Sequence, residues 1–506
     1  MAVRHLGRSS LVTCHLSLVT AMRTFADWAL NRAQILGATY ADARVVDSRE
    51  RYISSKNGKV GQASVSDTMG IGVRVIAGGA WGFASTDTLT RQAVEQAASR
   101  AVAIARASAL VQERELALVP EEPVEAEWTS PIRTDPFTTR VEDNITLLLR
   151  VDAELRRVKG VTLAEAALHF RRQEQLFAST IGSVIRQTRY YTGAGYTALA
   201  FSGNEIQKRS YPNSFGGQHQ LRGYELVEEL RLVENAPRVA EEAVALHGAE
   251  QCPEGVRDLI LDSSQLGLQI HESIGHPIEL DRVLGTEANF AGMSFLTPDK
   301  LDSLKYASEI VNVVADARPE HGPGLGTFAF DDEGVPAQCT DIIRNGLFTG
   351  YLTSRETAAA VGQSRSNGSM RAEGWNRIPL IRMTNVSLLP GDRTLEQLVG
   401  STEDGIWMET NRSWSIDDKR YNFQFGCEIG WEIKNGRKTR MLKNPSYGGI
   451  TTEFWNSCDG ICNADHWVLW GTPNCGKGQP QQTMGTGHGA APARFRRVKV
   501  GVAYQT

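Results

Sequence analysis

Cysteine is scarce in this chain, at seven residues in 506. So few thiols do not make a disulfide framework, and their odd number argues against complete pairing, so a reducing compartment, the cytoplasm, is the expected location. No run approaches the roughly 20 consecutive apolar residues of a membrane-crossing helix, which argues against a membrane partner. Excess charge is also missing: the formal net charge is -4 and the pI is near 6.3. No Lys/Arg tract interleaves with aromatic residues, so nucleic acid is not an expected partner. Histidine is limited to ten residues, and a close pair among so few is informative. What remains, 41% hydrophobic and 22% charged residues, is the composition of an ordinary globular protein.

Length exceeds one ordinary core, so two or three domains are expected, and the pattern assigns residues 23–250 and 251–506, divided near Gly248 to Gly255. Residues 1–22 stand apart. Arg4 and Arg8 precede Leu11-Val12-Thr13-Cys14-His15-Leu16-Ser17-Leu18, which faintly resembles a secretory signal with a poor apolar centre. They are expected to be a disordered or mis-started leader, with Met22 as the real beginning.

Periodicity organises the rest. A helix is expected from Phe25 to about Gly37, then strands at Ala41–Val46, Tyr52–Ser55 and Val60–Val65, with Asn57-Gly58 as a type I′ hairpin turn. Ile71–Ile76 and Trp81–Ala84 flank Gly78-Gly79 as a second hairpin. Val94, Ala97, Ala98, Ala101, Val102 and Ala105 mark an amphipathic helix that packs on that sheet. The proline-bearing stretch from Val119 to Pro136 reads as a stiff connection. Val141 to Val158 repeats at helical spacing and ends at Gly160. Strands follow at Val161–Phe170, Leu176–Thr180 and Val184–Tyr191, and Tyr190 to Tyr196 reads as strand packing rather than a ligand loop. Pro237 is expected to interrupt the next helical region. Beyond Gly255, Asn345-Gly346 and Asn435-Gly436 signal further hairpins, and Phe423 to Ile433 alternates as a strand. The fold class is therefore α+β: an N-terminal domain of antiparallel hairpins with packed helices, then a largely antiparallel, β-rich C-terminal domain that carries the metal helix. Such a sheet is also a scaffold for an extended peptide to join.

That helix holds His271-Glu272-Ser273-Ile274-Gly275-His276. Neutral imidazole is a good zinc ligand, and zinc with an open position brings water to a pKa near ~7, for which Glu272 would be the base. Side chains five apart on a regular helix diverge by about 140° and cannot chelate one ion. Either the helix carries a wider i to i+5 turn, as in a π-bulge, or it breaks before His276. Gly275 and Pro277 supply the local freedom for both outcomes.

Two histidines leave a catalytic zinc one protein ligand short. Glu279 and Asp281 are near in sequence, and Cys475 is followed by Gly476, which permits close backbone approach, and Lys477, which favours a thiolate. Cys458, Cys462 and His466 fall four apart and would share one helical face. They read more simply as small apolar thiols beside a surface histidine. Arg371 and Arg382 are candidates to orient substrate carboxylates or backbone.

Several motifs occur together in this order: the His271 to His276 segment, Glu279-Leu280-Asp281, Phe330-Asp331-Asp332-Glu333-Gly334, Asn345-Gly346 with Gly350-Tyr351-Leu352, Arg382-Met383-Thr384-Asn385, and Cys475-Gly476-Lys477-Gly478-Gln479. With Gly70-Ile71-Gly72-Val73-Arg74, they resemble the TldD/PmbA family of zinc metalloproteases, specifically the TldD-like subunit that keeps HExxxH. The resemblance implies zinc on His271, His276 and Cys475, with Glu272 as catalytic base. It also implies a dimer around a shielded chamber, either a homodimer or a heterodimer with a PmbA-like subunit, digesting small or unfolded peptides. The leader and the stretch from Cys458 to His466 depart from the pattern. Two other functions fit the same residues: an enzyme that processes an amide in natural-product maturation, and a non-catalytic peptide-binding protein with structural zinc.

Overall fold

Asn57 and Gly58 both take positive φ, 50° and 77°, so the chain reverses within two residues. Tyr40–Lys56 (β1) thereby pairs antiparallel with Lys59–Ala77 (β2), and Gly78-Gly79 returns the chain as Ala80–Thr86 (β3). The three short strands expected in this region are pieces of two long ones. This computed structural model describes residues 8–290 and 292–503, with side chains from residue 18 onward. Helix α1 runs Arg8–Ile35, so the described part of the expected leader is continuous with the helix after it; residues 1–7 lie outside the described residues. Helix α2 (Arg91–Ala109) buries the six positions named from periodicity.

The connection from Val119 to Pro136 is not wholly irregular. Glu125–Thr129 (β4) joins the sheet, because the edge of a later strand lies open to it. After α3 (Val141–Arg157), Val161–Ser179 (β5) pairs with β1, and Val184–Ser202 (β6) pairs with β5 and, in parallel, with β4. Glu205–Tyr211 (β7) and Gln218–Gln220 (β8) cover the remainder of the β6 edge. The polar run Arg171 to Gln175 hides the continuity of β5 in the sequence. Pro237 lies inside the helix Leu232–Ala245 without breaking it. The buried face Leu232, Ala236, Val239, Ala240 and Ala243 offsets the one lost backbone bond.

Strand alternation assigns the two faces of this sheet different tasks. Odd positions of β1, including Ala41, Ala43, Val45 and Ile53, face the helices, with α1 and α2 over one end and α3 and Leu232–Ala245 over the other. Even positions face the second half of the chain. Asp42 and Arg44 are buried there, and Gly70 and Gly72 of β2 lie against Trp375 so closely that a Cβ would collide.

In that second half, Asp404–Ile416, Gly255–Leu261, Ala493–Val502, Pro445–Ile450 and Asn422–Lys434 pair in this order, and the last pairs back to the first. The ring is therefore a closed β-barrel, with one parallel pair at Gly255–Leu261 and Asp404–Ile416. Aromatic residues pack in and beside it, with Phe454 stacked on Phe495 at 4.0 Å between ring centroids. Asn345-Gly346 and Asn435-Gly436 form the expected hairpins. Among the described residues no helix is long and apolar enough to cross a membrane.

Candidate metal centre

Barrel strand Gly255–Leu261 runs directly into the helix Ser263–Ile270. Asp262 caps it, its carboxylate accepting from the backbone N–H groups of Ser264 and Gln265 at 3.0 and 2.9 Å. Every residue of this helix is buried, and the amide groups of Gln265 and Gln269 both reach the Tyr447 hydroxyl. Tyr447 Oη accepts from Gln265 Nε2 at 3.0 Å and donates to Gln269 Oε1 at 2.9 Å. Trp455 Nε1 donates to Ser273 Oγ at 2.9 Å.

The helix then widens. Residues His271–Gly275 form a π turn, with the backbone N–H of His276 donating to the carbonyl of His271 at 3.1 Å. Of the two distortions the spacing allows, the i to i+5 turn is therefore present. It brings both imidazoles to one side, with ring centroids 4.8 Å apart. Gly275 stands at its end, where a Cβ would strike the Met383 side chain and force it to shift.

Cys475 arrives from the opposite direction, on the hairpin Val468–Lys477 and Gln482–Ala490. Its Sγ lies 3.6 Å from His276 Nε2, and one ligand atom each of His271, His276 and Cys475 lie within 4.8 Å of one another. Bond lengths of about 2.0 Å to nitrogen and 2.3 Å to sulfur put two ligands of one tetrahedral zinc roughly 3.5 Å apart. The donors thus fit a single zinc-sized ion.

Hydrogen bonds on the far side of each ring fix which nitrogen is available. His276 Nδ1 faces Glu279 Oε2 at 3.1 Å, so it carries the proton and leaves Nε2 free beside the thiol. His488 Nδ1 faces the carbonyl of Val386 at 3.1 Å and so donates, leaving Nε2 to accept from His271 Nδ1 at 2.7 Å. That relay frees Nε2 of His271. Burial holds all three imidazoles below their ordinary pKa, as neutral ligation requires.

Glu279 is buried among cations. Burial would raise its carboxyl, but Lys477, His276 and Arg282 hold it well below the usual range. The Lys477 ammonium is taken up by Asp281 Oδ1 at 2.6 Å and Glu279 Oε2 at 3.5 Å. It therefore supports Glu279, and the cation that favours the Cys475 thiolate is Arg382. Burial opposes that ionisation, but Arg382 and His276 outweigh it and lower the thiol's pKa. Arg382 also donates to the Cys475 carbonyl at 2.6 Å. Arg371 is directed at backbone, donating to the carbonyls of Met383, Gly485 and Leu325 at 2.8 to 2.9 Å.

Glu272 lies beside the ligands, and Arg420 Nη1 donates to its Oε2 at 3.1 Å. Asp281 stays with Lys477. Cys458 and Cys462 are not on a helix: Cys458–Ile461 is a strand, both thiols are in the hydrophobic core, and His466 ends a separate turn at Ala464–His466. Sequence reading missed His488 and Arg420. The alternation Gly485-Thr486-Gly487-His488-Gly489 is the one local sign of the former, and Arg420 has none.

Residues 254–501 match the PmbA/TldA metallopeptidase C-terminal domain, and residues 41–105 match domain 1 of the same metallopeptidases. The chain belongs to the TldD/PmbA family. Metalloprotease MJ0996 of Methanocaldococcus jannaschii is 28% identical over 453 residues, which is 89% of this chain and 95% of that protein. A zinc metalloprotease TldD homolog of Saccharolobus solfataricus is 28% identical over 49% of this chain and 52% of its own length. The crystal structure of TldE from Thermococcus kodakarensis superposes with a TM-score of 0.70 at 17% identity, covering 95% of this chain and 100% of that one, a likeness of fold. The chain is thus a member of a metallopeptidase family, and relatives along most of its length are named metalloproteases.

Proposed function

We propose that the chain is a zinc-dependent peptidase acting on small or unfolded peptides, with His271, His276 and Cys475 as ligands and Glu272 as general base. The convergence of three donors with a carboxylate beside them carries this reading. A zinc ion there supplies Lewis acidity, which polarises a peptide carbonyl and lowers the pKa of water. Glu272 takes the proton of the attacking water and returns it to the leaving amine. Glu279 and His488 keep the two ligand rings oriented, and Arg382 favours the thiolate. Arg420 holds the Glu272 carboxylate toward the centre.

The chain is further read as cytoplasmic, consistent with six free cysteines among the described residues, and as a dimer, with itself or with a PmbA-like chain. An amide-processing enzyme of natural-product maturation would use the same residues. A purely structural zinc is disfavoured, because three donors leave a tetrahedral position open and a staple has no use for a base.

Glu272→Gln separates the catalytic readings from the structural one, and a panel of peptide and non-peptide amides separates the two catalytic readings from each other. The variant should keep its zinc, measured as bound metal per chain, while hydrolysis of an unfolded peptide library falls by about 10²–10⁴-fold. Undiminished hydrolysis rejects the role of Glu272. His271→Ala and Cys475→Ala should lose the metal together with the activity, and removal of zinc by a chelator should reproduce that loss in the unaltered chain.

A further inference from the structure

Where the N-terminal sheet meets the second half of the chain, three arginines converge. Arg171 of β5 and Arg189 of β6 point to that side, in phase with Gln175 and Gln187 of the same strands, which donate there to Asp332 and to the Phe330 carbonyl. In the β5–β6 register Arg171 stands opposite Tyr191 and Arg189 opposite Gln173, so the two arginines are diagonal neighbours, within reach of long side chains. Arg371 comes from the second half. It donates to the carbonyl of Leu325, whose side chain packs on Tyr191.

The three guanidiniums meet without a counter-ion. Glu50 stands directly opposite Arg171 across the β1–β5 pair, yet its carboxylate is turned to His169 Nε2 at 2.6 Å. The acid nearest Arg189 and Arg371 is Asp332, and it is held by Gln175 Nε2 at 2.6 Å and by Arg44 at 3.6 Å. None of the three arginines makes an ion pair among the described residues. Arg171 lies over the Tyr191 ring at 5.6 Å, and Arg189 has a single 3.4 Å bond to Gln175 Oε1. The Nε–H groups of Arg189 and of Arg371, which is 5% exposed, are buried with no acceptor. Burial and the nearby Arg189, Arg382 and Arg171 push Arg371 down to about 9. Buried cations left uncompensated are costly to a fold, and like charges gathered together are characteristic of sites that take a ligand.

The cluster adjoins the metal centre. Arg371 also donates to the carbonyl of Gly485, which follows Met484, the cross-strand partner of Cys475. That places it roughly 10 Å from the metal ligands, about three residues of extended chain. Arg171 and Arg189 are half-buried, so the cluster is open on their side. A peptide lying across the centre brings carboxylates within this range, at its C-terminus or on Asp and Glu side chains, and a guanidinium fork binds a carboxylate through two parallel hydrogen bonds.

We infer that Arg171, Arg189 and Arg371 form an anion subsite that takes a carboxylate of the bound peptide. The inference rests on the peptidase reading above for the nature of the occupant. Its test reads binding, with hydrolysis measured separately on the unaltered chain, so a chain that binds but does not cut leaves the subsite standing.

Full-length, zinc-loaded Glu272→Gln protein is titrated with three short fluorescent peptides of one neutral sequence. The first has a free C-terminal carboxylate, the second an amidated C-terminus, and the third an amidated C-terminus with one Asp in the middle. At least one acidic peptide should bind roughly tenfold more tightly than the neutral amidated one, and the arm that does so identifies the source of the carboxylate. Adding Arg171→Met and Arg189→Met together should abolish that margin, whereas Arg189→Lys, which keeps the charge but not the fork, should keep part of it. If the double substitution prevents folding, Arg171→Gln on the open side of the cluster carries the same expectation of a reduced margin. Equal affinity for all three peptides overturns the inference, as does binding of none of them. A margin that survives loss of the two arginines overturns it as well.

Discussion

Each ligand in the centre is only as good as the group behind it. His271 donates through Nδ1 to His488, and His488 is itself fixed by the Val386 carbonyl. Loss of such a partner typically costs 10–100-fold in metal affinity without touching a ligand. His488→Phe should therefore weaken zinc binding by about that factor in a competition titration with a chelator. His488→Gln, whose amide oxygen can still accept the Nδ1 proton, should retain most of the affinity; equal losses in both variants would mean that His488 acts by packing alone. The pair His271 and His276 was legible because six consecutive residues hold it. Cys475 lies 199 residues away and was reached through the family resemblance, since no spacing rule connects a strand to a distant helix. His488 and Arg420 lie 217 and 148 residues from the groups they contact; a glycine-rich alternation is the one local sign of His488, and Arg420 has none.

At the scale of elements, the features carried by backbone chemistry were the readable ones. Asn57-Gly58, Asn345-Gly346 and Asn435-Gly436 all turn with both residues at positive φ, because few other dipeptides do so without strain. The alanine face of α2 was readable for the same reason: its signal is local. Strand β4 and the uninterrupted helix through Pro237 were not, since each is decided by a neighbour distant in sequence. The π turn lies between these cases. Its spacing demanded a distortion, and the choice of a widened turn over a break is made by packing, which sets Gly275 against Met383 and holds His276, in helical geometry, to the Glu279 carboxylate. Gly275→Ala would force the buried Met383 side chain to move, at a cost of about 1–3 kcal/mol. Urea unfolding of the metal-free protein should show that loss, and zinc affinity should fall with it. Unchanged stability would mean that Met383 yields freely and that the turn is held by other contacts.

Across the whole molecule, the two halves are joined by charge rather than by a continuous apolar core. The largest hydrophobic cluster draws only on residues 252 to 500, while the helix-covered clusters of the first sheet draw on residues 22 to 243. Between them, Arg74 contacts Asp42 at 2.7 Å and Glu333 at 3.1 Å, and its guanidinium lies 4.3 Å from the Trp81 ring. Beside it, Arg44 faces Asp332 at 3.6 Å and donates to the carbonyl of Arg377 at 2.5 Å. The acidic run Asp331-Asp332-Glu333, recognisable in the sequence only as a family motif, thus serves the junction. Polarity at strand positions that face inward is what made the first sheet look broken in the sequence, because an alternation rule assumes that polar residues face water. Arg74→Met tests the junction. It keeps side-chain length but leaves two buried carboxylates without their cation, and breaking a buried pair in this way costs about 3–5 kcal/mol. Denaturant unfolding should therefore lose that much stability while the ligand cluster at His271, His276 and Cys475 still takes up zinc in native buffer. A loss below about 1 kcal/mol would show that apolar contacts around Trp375 hold the halves together instead.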